Sequence, residues 1–135
     1  MDTNELRNGN NIYLVDIKDS SHRIIGTIED VKYSIGHSEI KCPVNELVMK
    51  PIKITDEILV NNGFKKDNNF PDRYDFPKGT ATFFLACNFN TGKYFIGISV
   101  SSIKDIRISK SLSFVHELQN AVYYIMGTEL RFEQI

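Results

Sequence analysis

Alternating apolar and polar residues predict β-strands in the first fifty residues of the chain. The segments with this pattern or with β-branched composition are residues 11–17, 23–29, 31–35 and 39–42. Polar turn residues separate the first two segments, and Gly36 separates the last two. The pattern predicts a small, bent antiparallel sheet, for which an SH3-like partial barrel is one arrangement.

The pattern changes to that of a short helix at Thr55. Thr55 is a good N-cap, Asp56 and Glu57 place negative charge in the first turn, and Gly63 is a stop signal. We therefore expect a helix of about two turns, preceded by a connector or short strand at residues 50–54. The polar segment 65–75 that follows predicts a mobile loop or an irregular crossing.

The clearest hairpin signal of the chain lies in its second half. Residues 81–89 and 94–100 predict two strands joined by a turn at Asn90-Thr91-Gly92. Both faces of this hairpin are apolar, so we expect it to be a central pair. Ile103, Ile106 and Ile108 predict a further extended segment.

An amphipathic helix is predicted from about residue 112 to residue 126. Its apolar residues recur every three or four positions, which is typical of one buried stripe: Val115, Leu118, Val122 and Ile125. Ser113 is the expected cap and Gly127 the expected stop. Residues 130–132 predict a short final strand. We expect one α+β domain over residues 1–135, with residues 1–50 and 51–135 as its subdivision.

Composition limits the binding partners and the cellular compartment that we expect for this protein. The net charge of −1 and the pI near 6.3 give no overall attraction to nucleic acid or to anionic lipid. Cys42 and Cys87 lie far apart among apolar or β-type neighbours, which favours buried structural thiols in a reducing cytoplasm. No apolar run approaches the roughly 20 residues that span a bilayer. We expect a soluble cytoplasmic protein without cofactor or membrane partner.

The C-terminal helix carries a dense polar cluster of His116, Glu117, Gln119 and Asn120. The segment begins like the zinc-protease motif HExxH, but Asn120 replaces the second histidine, and no histidine follows His116. His22 and His37 lie upstream without ligand spacing, so we predict no metal site. His116 and Asn120 lie one turn apart and can reach the same partner. A structural role is favoured, with His116 or Gln119 bonded to a strand backbone, Glu117 and Asn120 facing solvent, and recognition of a partner as the alternative.

A second candidate site combines basic and aromatic residues. The segment 65–76 and the segment 104–110 could supply phosphate-directed cations and stacking rings for a nucleic acid. Aspartates interleave both segments and weaken the field. The candidate residues are Lys65, Lys66, Phe70, Tyr74, Lys104, Arg107 and Lys110.

ELRNGN at residues 5–10 is the first of three segments that carry a resemblance, followed by PIKITDEIL at residues 51–59 and VHELQN at residues 115–120. They resemble a group of small, mostly uncharacterised proteins of Bacteroidota phages and mobile elements. ELRNGN at residues 5–10 resembles their ELRIGN start, with Asn8 replacing a branched apolar residue. PIKITDEIL at residues 51–59 with Gly63-Phe64 resembles their middle signature, and VHELQN at 115–120 with GTEL at 127–130 resembles their end. The resemblance implies an accessory protein of a phage or mobile element and carries over no catalytic residue.

The sequence therefore predicts a non-enzymatic accessory protein that binds a host or phage macromolecule, most simply a protein. A nucleic-acid-binding module is the runner-up, and a protein that binds a small molecule or nucleotide comes third. No catalytic residue is assigned, because nucleophile elbows and glycine-rich phosphate loops do not occur in the sequence.

Overall fold

The computed structural model describes residues 6–16, 23–29, 32–35, 47–79, 82–101 and 104–135. The chain forms two compact units. Unit 1 consists of Met1–Lys53 and Phe114–Arg131, and unit 2 consists of Ile54–Ser113 and Phe132–Ile135. The expectation of one domain over residues 1–135 stays a prediction.

Unit 1 contains an antiparallel N-terminal sheet. Among the described residues its strands are β1 (Asn11–Asp16), β2 (Arg23–Glu29), β3 (Lys32–Ile35) and β4 (Leu47–Lys50), in the order β3-β2-β1-β4. The first three strands confirm the predicted ones within a residue, whereas β4 begins three residues before the expected connector. Residues 39–42 lie outside the described residues, so their strand and an SH3-like closure stay predictions.

The C-terminal helix α2 (Val115–Met126) contacts β1 in unit 1. Val115, Leu118 and Val122 of the predicted stripe are buried, as are Ile12 and Leu14 of β1. Burying each such side chain contributes roughly 1.5–3 kcal/mol before conformational entropy is subtracted. These apolar side chains make α2 part of the core of unit 1.

The helix begins at Val115 rather than near Leu112, and its N-cap is Phe114 rather than Ser113. Phe114 is extended because it forms a β-bridge with Lys53, and the Val115 amide donates to the Ile52 carbonyl at 2.7 Å. The preceding residues are therefore held in β-type pairing. Gly127 ends the helix with φ of +70°, as predicted.

The prediction of a final strand at residues 130–132 is wrong, because these residues form no β-ladder in the structure. Leu130 and Phe132 are nevertheless buried, so the alternating apolar residues that predicted a strand are core residues of an irregular segment. The Leu130 carbonyl is bonded by the side chain of Gln119 instead of by a neighbouring strand.

Unit 2 begins with helix α1 (Asp56–Asn61), whose limits follow the predicted signals. The Thr55 hydroxyl accepts from the Ile58 amide at 3.2 Å and caps the helix. Gly63 has φ of +91°, and the next amide, of Phe64, bonds back to the Leu59 carbonyl. Both Leu59 and Phe64 are buried, so this turn fixes two core side chains.

The C-terminal sheet of unit 2 is antiparallel. Its strands in the described residues are β5 (Lys65–Lys66), β6 (Arg73–Asp75), β7 (Phe83–Asn88), β8 (Lys93–Ser101) and β9 (Lys104–Arg107), in sequential order β5-β6-β7-β8-β9. The hairpin β7–β8 is central as predicted, and its turn ends at Gly92 with φ of +70°. The mixed α+β class is thereby confirmed.

The segment 65–75 is not the irregular loop that its polarity predicts, because it contains β5 and β6. Tyr74 of β6 pairs with Leu85 of β7 and is buried. Strands of two and three residues are too short to show an alternating pattern. The turn between them is fixed by Asp67, whose carboxylate accepts from the Asn69 and Phe70 amides.

One face of the C-terminal sheet carries large aromatic side chains beside small ones. Phe84 of β7 lies opposite Gly97 of β8, and Ala86 lies opposite Phe95. A Cβ atom at Gly97 would lie 2.2 Å from Cζ of Phe84, so the phenyl ring occupies the space above the glycine. Glycine at position 97 is therefore required by this ring.

Within the described part of the chain, neither α1 nor α2 has the length and apolar character needed to cross a bilayer.

We predict that Gly97→Ala destabilises the protein by about 1–3 kcal/mol, because the added methyl group must displace the packed ring of Phe84. Phe84→Leu removes the distal ring atoms that the methyl group meets. The double variant should therefore lose less stability than the sum of the single losses, a coupling that urea denaturation can measure. Strictly additive losses would show that the ring does not constrain position 97.

Candidate functional site

The side-chain amide of Gln119 is completely buried in unit 1 and bonds to three separate segments. Its oxygen accepts from the Asn11 amide at 2.9 Å. Its nitrogen lies 2.9 Å from Oδ1 of Asn11, 3.1 Å from the Gly9 carbonyl and 2.9 Å from the Leu130 carbonyl. Gln119 therefore joins α2 to the start of β1, to the turn before it and to the segment after the helix.

The turn before β1 is held by asparagine side chains. Oδ1 of Asn10 accepts from the Arg7 amide at 2.7 Å, and the Asn10 amide donates to the Arg7 carbonyl at 3.0 Å. Nδ2 of Asn10 donates to Oδ1 of Asn120 at 2.9 Å. Gly9 supports this turn with φ of +90°. We call Asn10, Asn11, Gln119 and Asn120 the amide cluster.

Arg7 extends the amide cluster toward the surface of unit 1. Its Nε donates to Oδ1 of Asn120 at 3.2 Å, and its terminal nitrogens donate to the Gln119 carbonyl and to Glu129, the latter at 2.5 Å. The guanidinium carbon also lies 4.1 Å from the centroid of the Tyr123 ring. These contacts fix both the position and the plane of the guanidinium group.

The polar residues of α2 that were predicted as a cluster differ in their burial and in their bonding partners. Gln119 bonds to the strand backbone as the structural reading expects, whereas Asn120 is half-buried and bonded rather than facing solvent. The Glu117 carboxylate accepts from the Phe114 amide at 3.0 Å and so caps the helix. His116 is buried and its ring is stacked on that of Phe114 at 6.0 Å. His22 and His37 lie outside the described residues.

Two of the three segments that carry the resemblance meet in this region of unit 1. Residues 7–10 come from the first segment, and Gln119, Asn120, Glu129 and Leu130 come from the last. The amide cluster joins residues of these two segments by direct hydrogen bonds. Sequence reasoning missed Asn10 and Asn11, and the signal that could have found them was the shared amide character of the two segments.

A pair of tyrosines at the end of α2 is exposed on unit 1. The Tyr124 side chain is 76% exposed and that of Tyr123 41% exposed. Their rings contact each other edge to face at 5.5 Å, and Tyr123 also contacts Arg7. We call Arg7, Tyr123 and Tyr124 the tyrosine surface. Sequence reasoning missed it, although adjacent tyrosines opposite the apolar stripe were a usable signal.

The predicted basic and aromatic patch is not brought together as one surface. Lys65 and Lys66 form the β5 edge of the C-terminal sheet, whereas Lys104 and Arg107 belong to the β9 edge. Three strands, β6, β7 and β8, therefore lie between the two edges in the sheet order. Lys110 follows the β9 edge and is exposed.

The aromatic members of this predicted patch also separate. Tyr74 is 5% exposed and belongs to the core of unit 2. Phe70 is 48% exposed, and the guanidinium of Arg73 lies between the rings of Phe70 and Phe84 at 4.3 and 4.2 Å. Arg73 also forms an ion pair with Asp105 of β9, and this ion pair extends across the face of the sheet.

Unit 2 holds a second set of titratable groups around Tyr74. Its hydroxyl donates to Asp56 at 2.5 Å, and this bond, followed by one from Lys66, holds the pKa of Asp56 below its usual value. Burial raises the pKa of Tyr94 to about 12 and, together with the bond to Asp56, raises that of Tyr74 well above its usual value. These phenols are neutral at pH 7.

Cys87 is half-buried near these tyrosines and is a free thiol. Burial raises its pKa, so the thiolate that would act as a nucleophile is disfavoured at neutral pH. Cys42 lies outside the described residues.

Comparison of the chain with family models, with curated proteins and with solved structures finds no match.

We predict that Gln119→Leu lowers the free energy of unfolding by about 2–4 kcal/mol. The substitution leaves the buried Asn11 amide and the Leu130 carbonyl without the partner that they bond in the wild type, and each such loss costs roughly 1–3 kcal/mol. Tyr124→Leu on the exposed face of the same helix should stay within about 0.5 kcal/mol of wild type in urea denaturation. Equal stability of the two variants would contradict a structural role for Gln119.

We predict that the stabilising effect of the Tyr74 hydroxyl depends on pH. Because the pKa of Asp56 is lowered in the folded state, its contribution is present above the unfolded value near 3.9 and is lost as pH falls through the folded pKa. The Tm difference between wild type and Tyr74→Phe should therefore shrink between about pH 5 and pH 2. In an Asp56→Asn background the same difference should not vary with pH over this range.

Proposed function

We propose that this protein is a non-enzymatic accessory protein of a phage or mobile element, and that it acts in the host cytoplasm by binding a protein through the tyrosine surface. The observation that carries the proposal is the exposure of Tyr124 beside Tyr123 and the fixed guanidinium of Arg7. Tyrosine and arginine are the residue types, with tryptophan, that dominate binding energy at protein interfaces.

The rigidity of this surface supports a role in binding. Arg7 is held by Gln119, Asn120 and Glu129, so its guanidinium is ordered before a partner arrives. Tyrosine presents a large contact area with few rotatable bonds, and an ordered neighbour reduces the entropy lost on association. The amide cluster thereby contributes to binding indirectly, by fixing the residues beneath the tyrosine surface.

The chemistry of the polar residues favours binding over catalysis. The amides of the cluster bond to one another and to the backbone, and such groups neither take nor give protons at neutral pH. In unit 2, burial favours the neutral forms of Tyr74, Tyr94 and Cys87. A reactive nucleophile or general base requires the opposite shift in pKa for these groups.

The phage or mobile-element origin is supported by the resemblance of three segments of the chain, two of which meet around the amide cluster. The free thiol of Cys87 is compatible with a reducing compartment. The natural partner should therefore be sought among proteins of a Bacteroidota host cell or of the element that encodes the protein.

The proposal predicts that a photocrosslinking amino acid at position 124 captures one specific protein in host cells. The same crosslinker at position 60 is the matched control, because Val60 is a 48% exposed apolar residue of the other helix. In affinity capture with the tagged chain and no crosslinker, Tyr124→Ala should recover at least tenfold less of the protein that the crosslinker identifies, the effect of losing an interface anchor worth about 1.4 kcal/mol or more.

The result that would contradict the proposal is equally specific. If Tyr124→Ala retains wild-type stability and recovers the same proteins in the same amounts as wild type, the tyrosine surface does not bind the partner.

A further inference from the structure

Positive charge is concentrated in one part of unit 2. Residues 76–113 contain one acidic side chain, Asp105, and five cationic ones, which gives a net charge of +4 in a chain whose total is −1. The cationic residues are Lys78, Lys93, Lys104, Arg107 and Lys110. Asp105 is bonded to Arg73 and accepts from the Ser99 hydroxyl, so its charge is already compensated.

The acidic residues of unit 2 belong mainly to another part of it. Residues 54–75, which include α1, β5 and β6, contain five acidic side chains and three cationic ones. Because β5 and β9 are the two edges of the C-terminal sheet, the charges are segregated across the sheet. The positive potential is therefore strongest toward β8 and β9.

An aromatic ring lies within this positive region. Phe95 of β8 lies opposite the small residue Ala86, is half-buried, and shares its sheet face with Lys93, two residues earlier. The guanidinium carbon of Arg107 is 5.1 Å from the centroid of its ring. Arg107 uses two of its five N–H donors to bond the Ser109 carbonyl and the Ser111 hydroxyl, at 2.8 and 2.9 Å.

The chain bulges beside Phe95 and exposes a further lysine. The Ile108 amide bonds to the Ile96 carbonyl, and the Leu112 amide bonds to the Tyr94 carbonyl. Ser109 also bonds to Ile96, because its amide donates to the Ile96 carbonyl at 3.3 Å and its hydroxyl accepts from the Ile96 amide at 2.7 Å. The bulge therefore consists of the exposed residues Lys110 and Ser111. Lys93, Phe95, Arg107 and Lys110 form what we call the cationic patch.

We propose that the cationic patch binds single-stranded nucleic acid, with Phe95 stacking on a base and Lys93, Arg107 and Lys110 contacting phosphates. Cations beside an aromatic platform are the combination that single-strand binding uses. A duplex hides the faces of its bases and can use the cations alone, so a single strand fits this surface better. This inference does not depend on the tyrosine surface, which belongs to unit 1.

The neighbouring aromatic ring, Phe84, is excluded from this role. Phe84 is 6% exposed, so a base cannot reach its ring, whereas Phe95 is half-buried. The pairing of Arg73 with Asp105 keeps that guanidinium group away from an incoming phosphate. Phe95 is therefore the stacking residue that we expect on this face of the sheet.

The test uses the purified full chain and fluorescein-labelled oligothymidylate of 20 nucleotides, with binding followed by anisotropy at increasing NaCl concentration. Contacts from the three cations predict a slope of log K against log salt of about −2. Lys93→Glu combined with Lys110→Glu should weaken binding at least tenfold and reduce the slope to less than half. No binding at 50 mM NaCl, or tighter binding of a duplex of the same length, would overturn the proposal.

The matched control combines Lys53→Glu with Lys65→Glu, two exposed lysines outside the patch whose replacement changes the net charge equally. Its affinity should stay within about threefold of wild type at 150 mM NaCl, where exposed charges further apart than about 8 Å are screened. Equal weakening by the two double variants would show that bulk charge, and not the cationic patch, attracts the nucleic acid.

The role of Phe95 is tested with Phe95→Leu and an abasic oligonucleotide of the same length. Removal of the ring should weaken binding of oligothymidylate about fivefold or more and leave binding of the abasic strand unchanged. Equal weakening for both strands would contradict stacking. The lysine variants test the location of the site even if Phe95→Leu proves too unstable to assay.

Discussion

Unit 1 depends on the burial of one uncharged amide, that of Gln119. An amide without hydrogen-bond partners is costly to bury, so its surroundings must supply donors and acceptors in fixed positions. Asn11, Gly9 and Leu130 supply them, from both sides of α2 along the chain. Burial of the apolar stripe favours packing of α2, but the hydrophobic effect is non-directional. The hydrogen bonds of the Gln119 side chain are directional, because they are lost if the helix rotates or slides relative to β1.

The residues around this amide connect the fold of unit 1 with its surface. Asn120 accepts from both Asn10 and Arg7, and Arg7 in turn contacts Tyr123. The order of the exposed arginine and tyrosine is therefore a consequence of buried hydrogen bonding. In unit 2 an arginine is ordered by different contacts, because Arg73 lies between two phenyl rings and pairs with Asp105. That pairing compensates the acidic charge of residues 76–113 and leaves the cations near Phe95 without an acidic competitor in that segment.

The parts of the fold that could be predicted are those that local patterns determine. Alternation gives β7 and β8, and caps with glycine stops give α1 and the end of α2. The start of α2 could not be predicted, because the bridge between Phe114 and Lys53 delays it by about three residues. The strands β5 and β6 are too short to show alternation; β6 forms by pairing with β7, and β5 forms by pairing with β6. The sequence identified Gln119 and Asn120 as notable, but not their partners, because more than a hundred residues separate them.

Native-state hydrogen exchange at the Asn11 amide is the most direct test of the role assigned to Gln119. This amide donates to the buried oxygen of Gln119, whereas the Leu118 amide belongs to the backbone ladder of α2. If the side chain of Gln119 joins the helix to β1, the two amides should open with the same free energy, that of global unfolding of unit 1. Rapid exchange at Asn11 while Leu118 remains protected would contradict the account, because helix and strand would then be held together without the amide.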